Sequence, residues 1–148
     1  MSELNQKVYE KAVKLLSVRL HTTGELYRKL KIRGFQDQAI RPVLRQLEEQ
    51  KFLDDERFAQ IFVDNFKRYK DFGYFGVKAK LLSRQIPSEM AAKALEEFLT
   101  LEDEKKIAER LLKKLKRQGR SGYEKLARSL KSRGFRLDVI GPLLLGER

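Results

Sequence analysis

The 148-residue sequence contains no cysteine and a single histidine, His21. The absence of cysteine excludes disulfides, thiolate catalysis and every zinc or iron–sulfur site that needs cysteine ligands. One histidine leaves no histidine cluster for a metal or for triad chemistry. A G-x-x-x-x-G-K-[ST] phosphate loop is also absent, so ATP hydrolysis by this chain has no support. We therefore expect a protein that is not an enzyme and that uses no metal or other cofactor.

Long hydrophobic runs are also absent. No apolar stretch approaches the roughly 20 residues that a membrane-spanning helix requires, and the N-terminal MSELNQKVYEK lacks the apolar core of a signal peptide. We expect a cytoplasmic protein that is not bound to a membrane. Strand-like alternation does not extend over any useful length, whereas apolar residues recur at helical spacing throughout, which predicts an all-α fold.

Negative charge is scarce relative to positive charge. The chain has 33 Lys+Arg against 21 Asp+Glu, a net charge of +12, and a pI near 10.0. Most of the excess lies in the first and last thirds of the chain, and the middle is nearly neutral. This balance favours a polyanionic partner, either nucleic acid or an acidic protein surface, without distinguishing between them.

One stretch of sequence occurs twice. Residues 21–35 read HTTGELYRKLKIRGF and residues 121–135 read SGYEKLARSLKSRGF. A glycine that follows a basic last turn adopts the left-handed conformation that ends a helix, so Gly34 and Gly134 predict two equivalent helix ends. A β-branched residue at either glycine should destabilise its unit by about 1 kcal/mol or more. Seven residues recur at a spacing of 100 positions: Leu26, Arg28, Leu30, Lys31, Arg33, Gly34 and Phe35.

A more diverged copy lies between these two. Leu81 follows Leu30 by 51 positions and precedes Leu130 by 49, so the period is nearly constant. Each copy contains three segments with helical spacing of apolar residues. We predict three tandem three-helix repeats that form an elongated, curved array and shield one another's cores. The predicted boundaries are an N-terminal tail over 1–7 and repeats over 8–50, 51–99 and 100–148.

Polar residues at the predicted helix starts have capping patterns. Thr22 and Glu25 have the spacing of a capping box, which contributes about 1 kcal/mol. The acidic stretches LDDERF and LTLEDEKK open the first helices of the second and third repeats. Carboxylates in such groups can serve catalysis or bind a metal, but we interpret these as N-caps and first-turn partners of the helix dipole. We interpret His21 as a local packing and capping residue rather than a pH switch.

The ordered pattern LLSVRLHTTGELYRKL, RGF, LEEQKFLDDERFAQIFV and FGYFGVKAKLLSRQI resembles the RecX family, regulatory proteins built of three tandem three-helix repeats. The similarity extends from Val8 to Leu145. It implies a non-enzymatic modulator of the RecA recombinase in DNA repair, recombination and the SOS response. Such a protein docks in the groove of the RecA–DNA filament, contacts RecA and DNA, and generally inhibits the filament. We expect it to act as a monomer.

A second interpretation stays open at this point. Three-helix units with a basic second or third helix also suit an autonomous, sequence-nonspecific nucleic-acid-binding protein. Such a protein would bind the phosphate backbone of single- or double-stranded DNA without any recombinase. Binding to bare DNA and to RecA-coated DNA would distinguish the two interpretations.

One segment departs from the family pattern. Family members usually carry Gly-Tyr-Gly-Pro and two basic residues where this chain has the stretch DFGYFG over 71–76. Gly73 is retained and Phe72 replaces the tyrosine, but the proline and both basic residues are missing. A family role that depends on those two cations is therefore in question. Five neighbouring cations are candidates to replace them: Lys67, Arg68, Lys70, Lys78 and Lys80.

Basic residues opposite the apolar stripes are candidate contacts with RecA or DNA. A charged outer face is also typical of any soluble helix, but its recurrence in two repeats and the net charge favour binding. Of the aromatic residues Tyr69, Phe72, Tyr74 and Phe75, we expect most to close the core and Phe75 to stay exposed for stacking or for an interface. The predicted RecA- or DNA-binding residues are Arg28, Lys31, Arg33, Lys67, Arg68, Lys70, Phe75, Lys78, Lys80, Lys113, Lys114, Arg128, Lys131 and Arg133.

Overall fold

The computed structural model describes residues 2–147, which form nine α-helices and no strand. The prediction of an all-α fold is confirmed. None of the helices within this range is long and apolar enough to cross a bilayer. The helices are α1 Glu3–Val18, α2 Thr23–Ile32, α3 Asp37–Glu49, α4 Asp55–Tyr69, α5 Tyr74–Ser83, α6 Ser88–Phe98, α7 Leu101–Arg117, α8 Tyr123–Ser132 and α9 Leu137–Leu143.

The helix starts follow the repeat period of the sequence. Helices α2, α5 and α8 each have 10 residues and begin at Thr23, Tyr74 and Tyr123, which are 51 and 49 positions apart. Helices α3 and α9 begin 100 positions apart, at Asp37 and Leu137. The spacing of the leucines therefore predicts the helix positions correctly.

Backbone packing divides the chain into two compact units. The first unit contains the described residues up to Phe58 together with Arg84–Ile86, and the second contains Ala59–Ser83 and the described residues from Pro87 onward. In the first unit α1, α2 and α3 contact one another; in the second, α5 packs on α6, and α7, α8 and α9 contact one another. The i, i+4 leucine pairs of α2 and α8 are fully buried: Leu26, Leu30, Leu126 and Leu130.

The RGF stretches end their helices as predicted. Gly34 has φ +96° and Gly134 has φ +82°, both in the left-handed region. In both copies the N–H of the following phenylalanine donates a hydrogen bond to the carbonyl of the leucine five residues earlier, Leu30 or Leu130. This 6→1 hydrogen bond is characteristic of a Schellman motif. Gln85, 51 positions after Gly34, adopts the same conformation with φ +64°. The stretch RQI is thus the middle copy of RGF, which the sequence analysis did not recognise.

In the second and third repeats, the end of the second helix packs on the start of the second helix of the preceding repeat. In the first unit the hydroxyl of Thr22 donates a hydrogen bond to the carbonyl of Arg84 at 2.6 Å. In the second unit the N–H of Gly73 donates to the carbonyl of Arg133 at 2.9 Å. Thr22 and Gly73 are 51 positions apart, and the two arginines are 49 positions apart. A hydrogen bond at equivalent positions therefore joins neighbouring repeats in each unit, with a side-chain hydroxyl as donor in the first and a backbone N–H in the second.

Most of the predicted caps are present. The Thr22 hydroxyl accepts a hydrogen bond from the Glu25 N–H at 3.1 Å, and the Glu25 carboxylate accepts one from the Thr22 N–H at 3.0 Å, which confirms the capping box. Asp54 accepts a hydrogen bond from the N–H of Arg57 at the start of α4. A second capping box, formed by Thr100 and the residue three positions after it, lies at the start of α7.

Two of the junction carboxylates bind helices other than their own. Asp55 Oδ1, in the first turn of α4, accepts hydrogen bonds from the backbone N–H and the hydroxyl of Thr23, at 2.8 and 3.1 Å. Glu104, in the first turn of α7, accepts from the N–H of Tyr74 at 3.1 Å and from the N–H of Arg136 at 2.9 Å. Asp55 and Glu104 are 49 positions apart and so hold equivalent places. Their interpretation as partners of their own helices alone is incomplete. Each also stabilises the start of the second helix in the preceding repeat.

Acidification is expected to destabilise the first unit through Glu25. Burial of this carboxylate opposes its ionisation, but hydrogen bonds from Arg84, the Thr22 N–H and Arg19 outweigh burial and lower its pKa from 4.5 to about 2. Because the folded pKa is depressed, the stabilisation is present above pH 4.5 and is lost as the pH falls towards 2. It contributes about 3 kcal/mol at neutral pH, since each unit of pKa corresponds to about 1.4 kcal/mol.

Urea unfolding of the wild type and of Glu25→Gln from neutral pH down to about pH 2.5 measures this contribution. The wild type should lose stability over this range, and the variant should lose less by the amount that Glu25 contributes. Glu48→Gln, which alters an exposed carboxylate of α3, is the matched control and should keep the wild-type pH dependence. Identical pH dependence of the Glu25 variant and the wild type would contradict the assignment.

Candidate nucleic-acid interface

Basic side chains converge on the turn between α4 and α5 in the second unit. Asp71 in this turn accepts hydrogen bonds from Arg110 Nε at 3.1 Å and from Lys114 Nζ at 2.6 Å. Burial opposes ionisation of the Asp71 carboxyl, but the hydrogen bonds from Lys114 and Arg110 outweigh burial and lower its pKa. The Asp71 side chain is only 11% exposed, whereas those of Arg110 and Lys114 are 43% and 49% exposed. The two cations thus lie between a largely buried carboxylate and solvent.

Arg110 also binds the carboxyl end of α4. Its Nη2 donates to the carbonyl of Lys70 at 2.6 Å, and its Nη1 lies 3.4 and 3.5 Å from the carbonyls of Lys67 and Arg68. The last carbonyls of a helix lack partners within the helix and carry its partial negative charge. Arg110 therefore stabilises the end of α4 and has a fixed orientation in the turn.

Two further cations lie over the ring of Phe72. The Arg133 guanidinium is 5.1 Å from the ring centroid and Lys80 Nζ is 5.4 Å from it, both within the range of cation–π attraction. Arg133 also donates to the carbonyl of Asp71 at 3.4 Å. Helices α5 and α7 and the C-cap of α8 thus direct four cations to one turn. We call this group the turn cluster: Asp71, Phe72, Lys80, Arg110, Lys114 and Arg133.

Two aromatic rings near the turn are exposed. Phe75 is 57% exposed, as predicted, and Tyr69 is 75% exposed. The expectation that Tyr69 helps to close the core is wrong, because this last residue of α4 lies beyond the inward stack of Phe62 and Phe66. Phe72 is partly buried and packs against Phe66 with a centroid distance of 5.8 Å.

The remaining predicted cations have several environments. Lys31 pairs with Asp37 at 3.3 Å and Arg68 pairs with Asp64 at 3.2 Å, and both pairs are exposed. Lys78 is partly buried. Six predicted cations are exposed and form no side-chain hydrogen bond or ion pair with any other residue in the described range: Arg28, Arg33, Lys70, Lys113, Arg128 and Lys131. Of the predicted set, Lys80, Lys114 and Arg133 come together in the turn cluster.

Lys67 has an intramolecular role that the sequence analysis did not predict. Its Nζ donates to the carbonyl of Phe98 at 3.1 Å and pairs with Asp103 Oδ2 at 3.4 Å. The Lys67 side chain is 30% exposed. Asp103 is the carboxylate of the α7 capping box, so Lys67 stabilises the start of that helix.

Arg110 is a further site residue that was not predicted from the sequence. Arg110 lies in the stretch LEDEKKIAERLLKKLKR, four positions before Lys114 and therefore on the same face of α7. That spacing is a detectable signal. It does not identify the partner, because Asp71 is 39 positions earlier in the chain.

His21 is buried and makes local contacts, as its predicted packing role requires. It is 4% exposed; its Nδ1 lies 2.9 Å from the carbonyl of Arg19, and Lys29 Nζ lies 2.8 Å from its Nε2. Burial lowers the pKa of His21, which favours a neutral ring that donates through Nδ1 and accepts from Lys29 through Nε2. Within residues 2–147, no group of three or more histidines and carboxylates could hold a metal ion.

Comparison with known proteins shows the family of this chain. Residues 9–47 match the model described as RecX, first three-helix domain. Over 139 residues the chain is 33% identical to the regulatory protein RecX of Chlorobaculum tepidum, covering 92% of this chain and 87% of that protein. The chain belongs to the RecX family. Over 130 residues it is also 31% identical to the regulatory protein RecX of Prosthecochloris aestuarii, covering 88% of this chain and 86% of that one.

Other RecX proteins are longer than this chain. It is 30% identical over 144 residues to the regulatory protein RecX of Geobacillus kaustophilus, yet spans about half, 53%, of that protein's length. The crystal structure of RecX from Lactobacillus salivarius has the same fold, with a TM-score of 0.88 at 23% identity, covering 97% of this chain and 96% of that one. A second crystal structure, of a regulatory protein RecX, matches with a TM-score of 0.85 at 24% identity, covering 95% of this chain and 72% of that one.

Proposed function

We propose that the chain regulates the RecA recombinase by docking on the RecA–DNA filament, and that it inhibits recombinase activity in DNA repair and recombination. Membership of a family of regulatory proteins carries the proposal. The net charge of +12 and the exposed cations without intramolecular partners in the described range support a polyanionic target. In this proposal the protein acts as a cytoplasmic monomer, without catalysis or a cofactor of its own.

The proposed docking uses cations that the fold itself does not need. Arg128 and Lys131 on α8 and Lys113 on α7 are exposed and make no side-chain hydrogen bond or ion pair with other residues of the described range. Such side chains can bind phosphates as point charges or forks without reading the base sequence. Lys67 is the least suited of the predicted set, because it already binds Phe98 and Asp103.

Charge reversal on α8 is expected to weaken regulation without unfolding the protein. RecA-dependent ATP turnover on single-stranded DNA should fall as the wild type is titrated in, and Arg128→Glu with Lys131→Glu should require about tenfold more protein for the same effect. Because exposed charges contribute little to folding, the melting curve should change little. The matched control, Lys7→Glu with Lys14→Glu, reverses two exposed lysines of α1 that are outside the predicted set.

Two outcomes would count against the proposal. Unchanged ATP turnover at every ratio of wild type to RecA would contradict the proposal that the chain regulates RecA. Equal effects of the α8 and α1 variants would contradict the assignment of Arg128 and Lys131 to the docking surface. Binding to bare and to RecA-coated DNA over a salt series tests the alternative, an autonomous nucleic-acid-binding protein: equal affinity and an equally steep salt dependence on both substrates favour that alternative.

A further inference from the structure

We infer that the turn cluster is a phosphate-binding site for single-stranded DNA, in which the carboxylate of Asp71 takes the place of a phosphate in the free protein. The inference rests on the proposed function, and specifically on contact with DNA. It assigns a ligand to Arg110, which the family resemblance did not suggest, and a competing role to Asp71, which stands where family members usually have glycine.

The donors on Asp71 match those that a phosphodiester requires. Arg110 Nε and Lys114 Nζ bind separate oxygens of the carboxylate, at 3.1 and 2.6 Å. Arginine and lysine bind phosphate oxygens through the same charge-assisted hydrogen bonds. The carbonyls at the end of α4 already orient Arg110, so it loses little freedom when it binds. Nearly half of each cation is open to solvent, from which a phosphate can approach.

The charge of the cluster is incompletely balanced. The cluster contains four cations, Lys80, Arg110, Lys114 and Arg133, and one carboxylate, to which Arg110 and Lys114 bind directly. The ring of Phe72 attracts Lys80 and Arg133 through its quadrupole but carries no net charge. An excess of positive charge therefore remains at the turn when Asp71 is in place, and it draws an anion to the same position.

Exposed aromatic rings near the turn indicate a single strand rather than a duplex. Tyr69 precedes the turn and Phe75 follows it, and they are 75% and 57% exposed. Unpaired bases stack on such rings while cations bind the backbone, which is typical of proteins that hold single strands without sequence preference. In duplex DNA the bases are already stacked on each other, so the rings would gain nothing.

Asp71 is a competitor in this site, because DNA can bind Arg110 and Lys114 fully only when the carboxylate moves aside. Neutralising it should release two cations for phosphate. Asp71→Asn should therefore bind oligothymidine about tenfold more tightly at low salt. The slope of log K against log salt should become steeper by about 1.4, since each phosphate contact on a single strand contributes about 0.7.

The test measures the fluorescence anisotropy of a labelled oligothymidine of roughly 20 nucleotides over a salt series. The full chain is compared with Asp71→Asn, Lys114→Gln and the double variant. Glu96→Gln is the matched control, because it removes one exposed negative charge on α6 in the same unit. We expect tighter binding only for Asp71→Asn, weaker binding with a shallower slope for Lys114→Gln, and loss of most of the gain in the double variant.

Each outcome decides the inference. Equal affinity of Asp71→Asn and Glu96→Gln overturns it, and so does the absence of oligothymidine binding by every variant. If Asp71→Asn does not fold, Lys114→Gln decides alone: wild-type affinity and slope in that variant overturn the site. RecA-dependent ATP turnover separates this inference from the proposed function, because a wild type that regulates RecA while Asp71→Asn binds DNA no better leaves the regulation standing.

Discussion

Alanine in place of Gly134 is expected to lower the stability of the chain several times more than alanine in place of Gly34. Both glycines have positive φ, so each alanine incurs a conformational cost of about 1 to 2 kcal/mol. At Gly34 a Cβ atom meets nothing within 4 Å, whereas at Gly134 it would lie 2.0 Å from the backbone nitrogen of Gly76 and 2.6 Å from its Cα. The second variant should therefore lose about 4 kcal/mol or more.

Backbone contacts explain why this clash cannot relax easily. The Gly134 carbonyl accepts a hydrogen bond from the Phe75 N–H at 2.9 Å, next to the bond between Gly73 and Arg133. The atoms that would meet a new Cβ thus belong to the main chain beside these hydrogen bonds and not to the end of a flexible side chain. Urea unfolding of the two variants measures the difference, with Gly34→Ala as the matched control for the cost of φ. Equal losses of stability would contradict the packing account.

The two glycines also show which features of this fold can be predicted from the sequence and which cannot. A local pattern of a basic last turn, glycine and phenylalanine is sufficient to predict the left-handed helix end at Gly34 and Gly134. The same pattern predicts equal costs for the two, because it contains no information about Gly76, which is 58 positions before Gly134. Leucine spacing predicts the helices for a similar reason: the period of an amphipathic helix is a local property.

The candidate site is predicted less completely, because the role of a cation depends on which carboxylate the fold brings near it. Lys67 and Lys113 look alike in sequence, yet Lys67 lies 3.4 Å from Asp103 and Lys113 has no such partner among the described residues. The departure at Asp71 was visible in the sequence as the loss of family residues. Its binding to Arg110 and Lys114 depends on α7 packing beside the turn, which no local pattern predicts.

Glu104→Ala is expected to destabilise the second unit by about 3 kcal/mol. Glu104 is 0% exposed and its Oε1 pairs with Arg136 Nε at 2.6 Å. Its Oε2 accepts the backbone N–H groups of Tyr74 and Arg136, at the starts of α5 and α9. Removing it leaves two N–H donors and one guanidinium without their acceptor, and an unpaired buried donor costs about 1 to 3 kcal/mol. Arg136 is 30% exposed, so water recovers part of the loss of the ion pair.

Glutamine at this position separates the contribution of the backbone hydrogen bonds from that of the ion pair with Arg136. The Glu104→Gln side chain keeps the shape and one carbonyl oxygen, so it can still accept backbone hydrogen bonds, but it carries no charge for Arg136. We expect a loss of about 1 to 2 kcal/mol, between those of the alanine variant and the wild type. Glu102→Ala is the matched control on the same helix, because Glu102 is 75% exposed and its pair with Lys105 should contribute less than about 0.5 kcal/mol. Urea midpoints that fall equally for Glu104→Ala and Glu102→Ala would show that the carboxylate of Glu104 does not join the three helices.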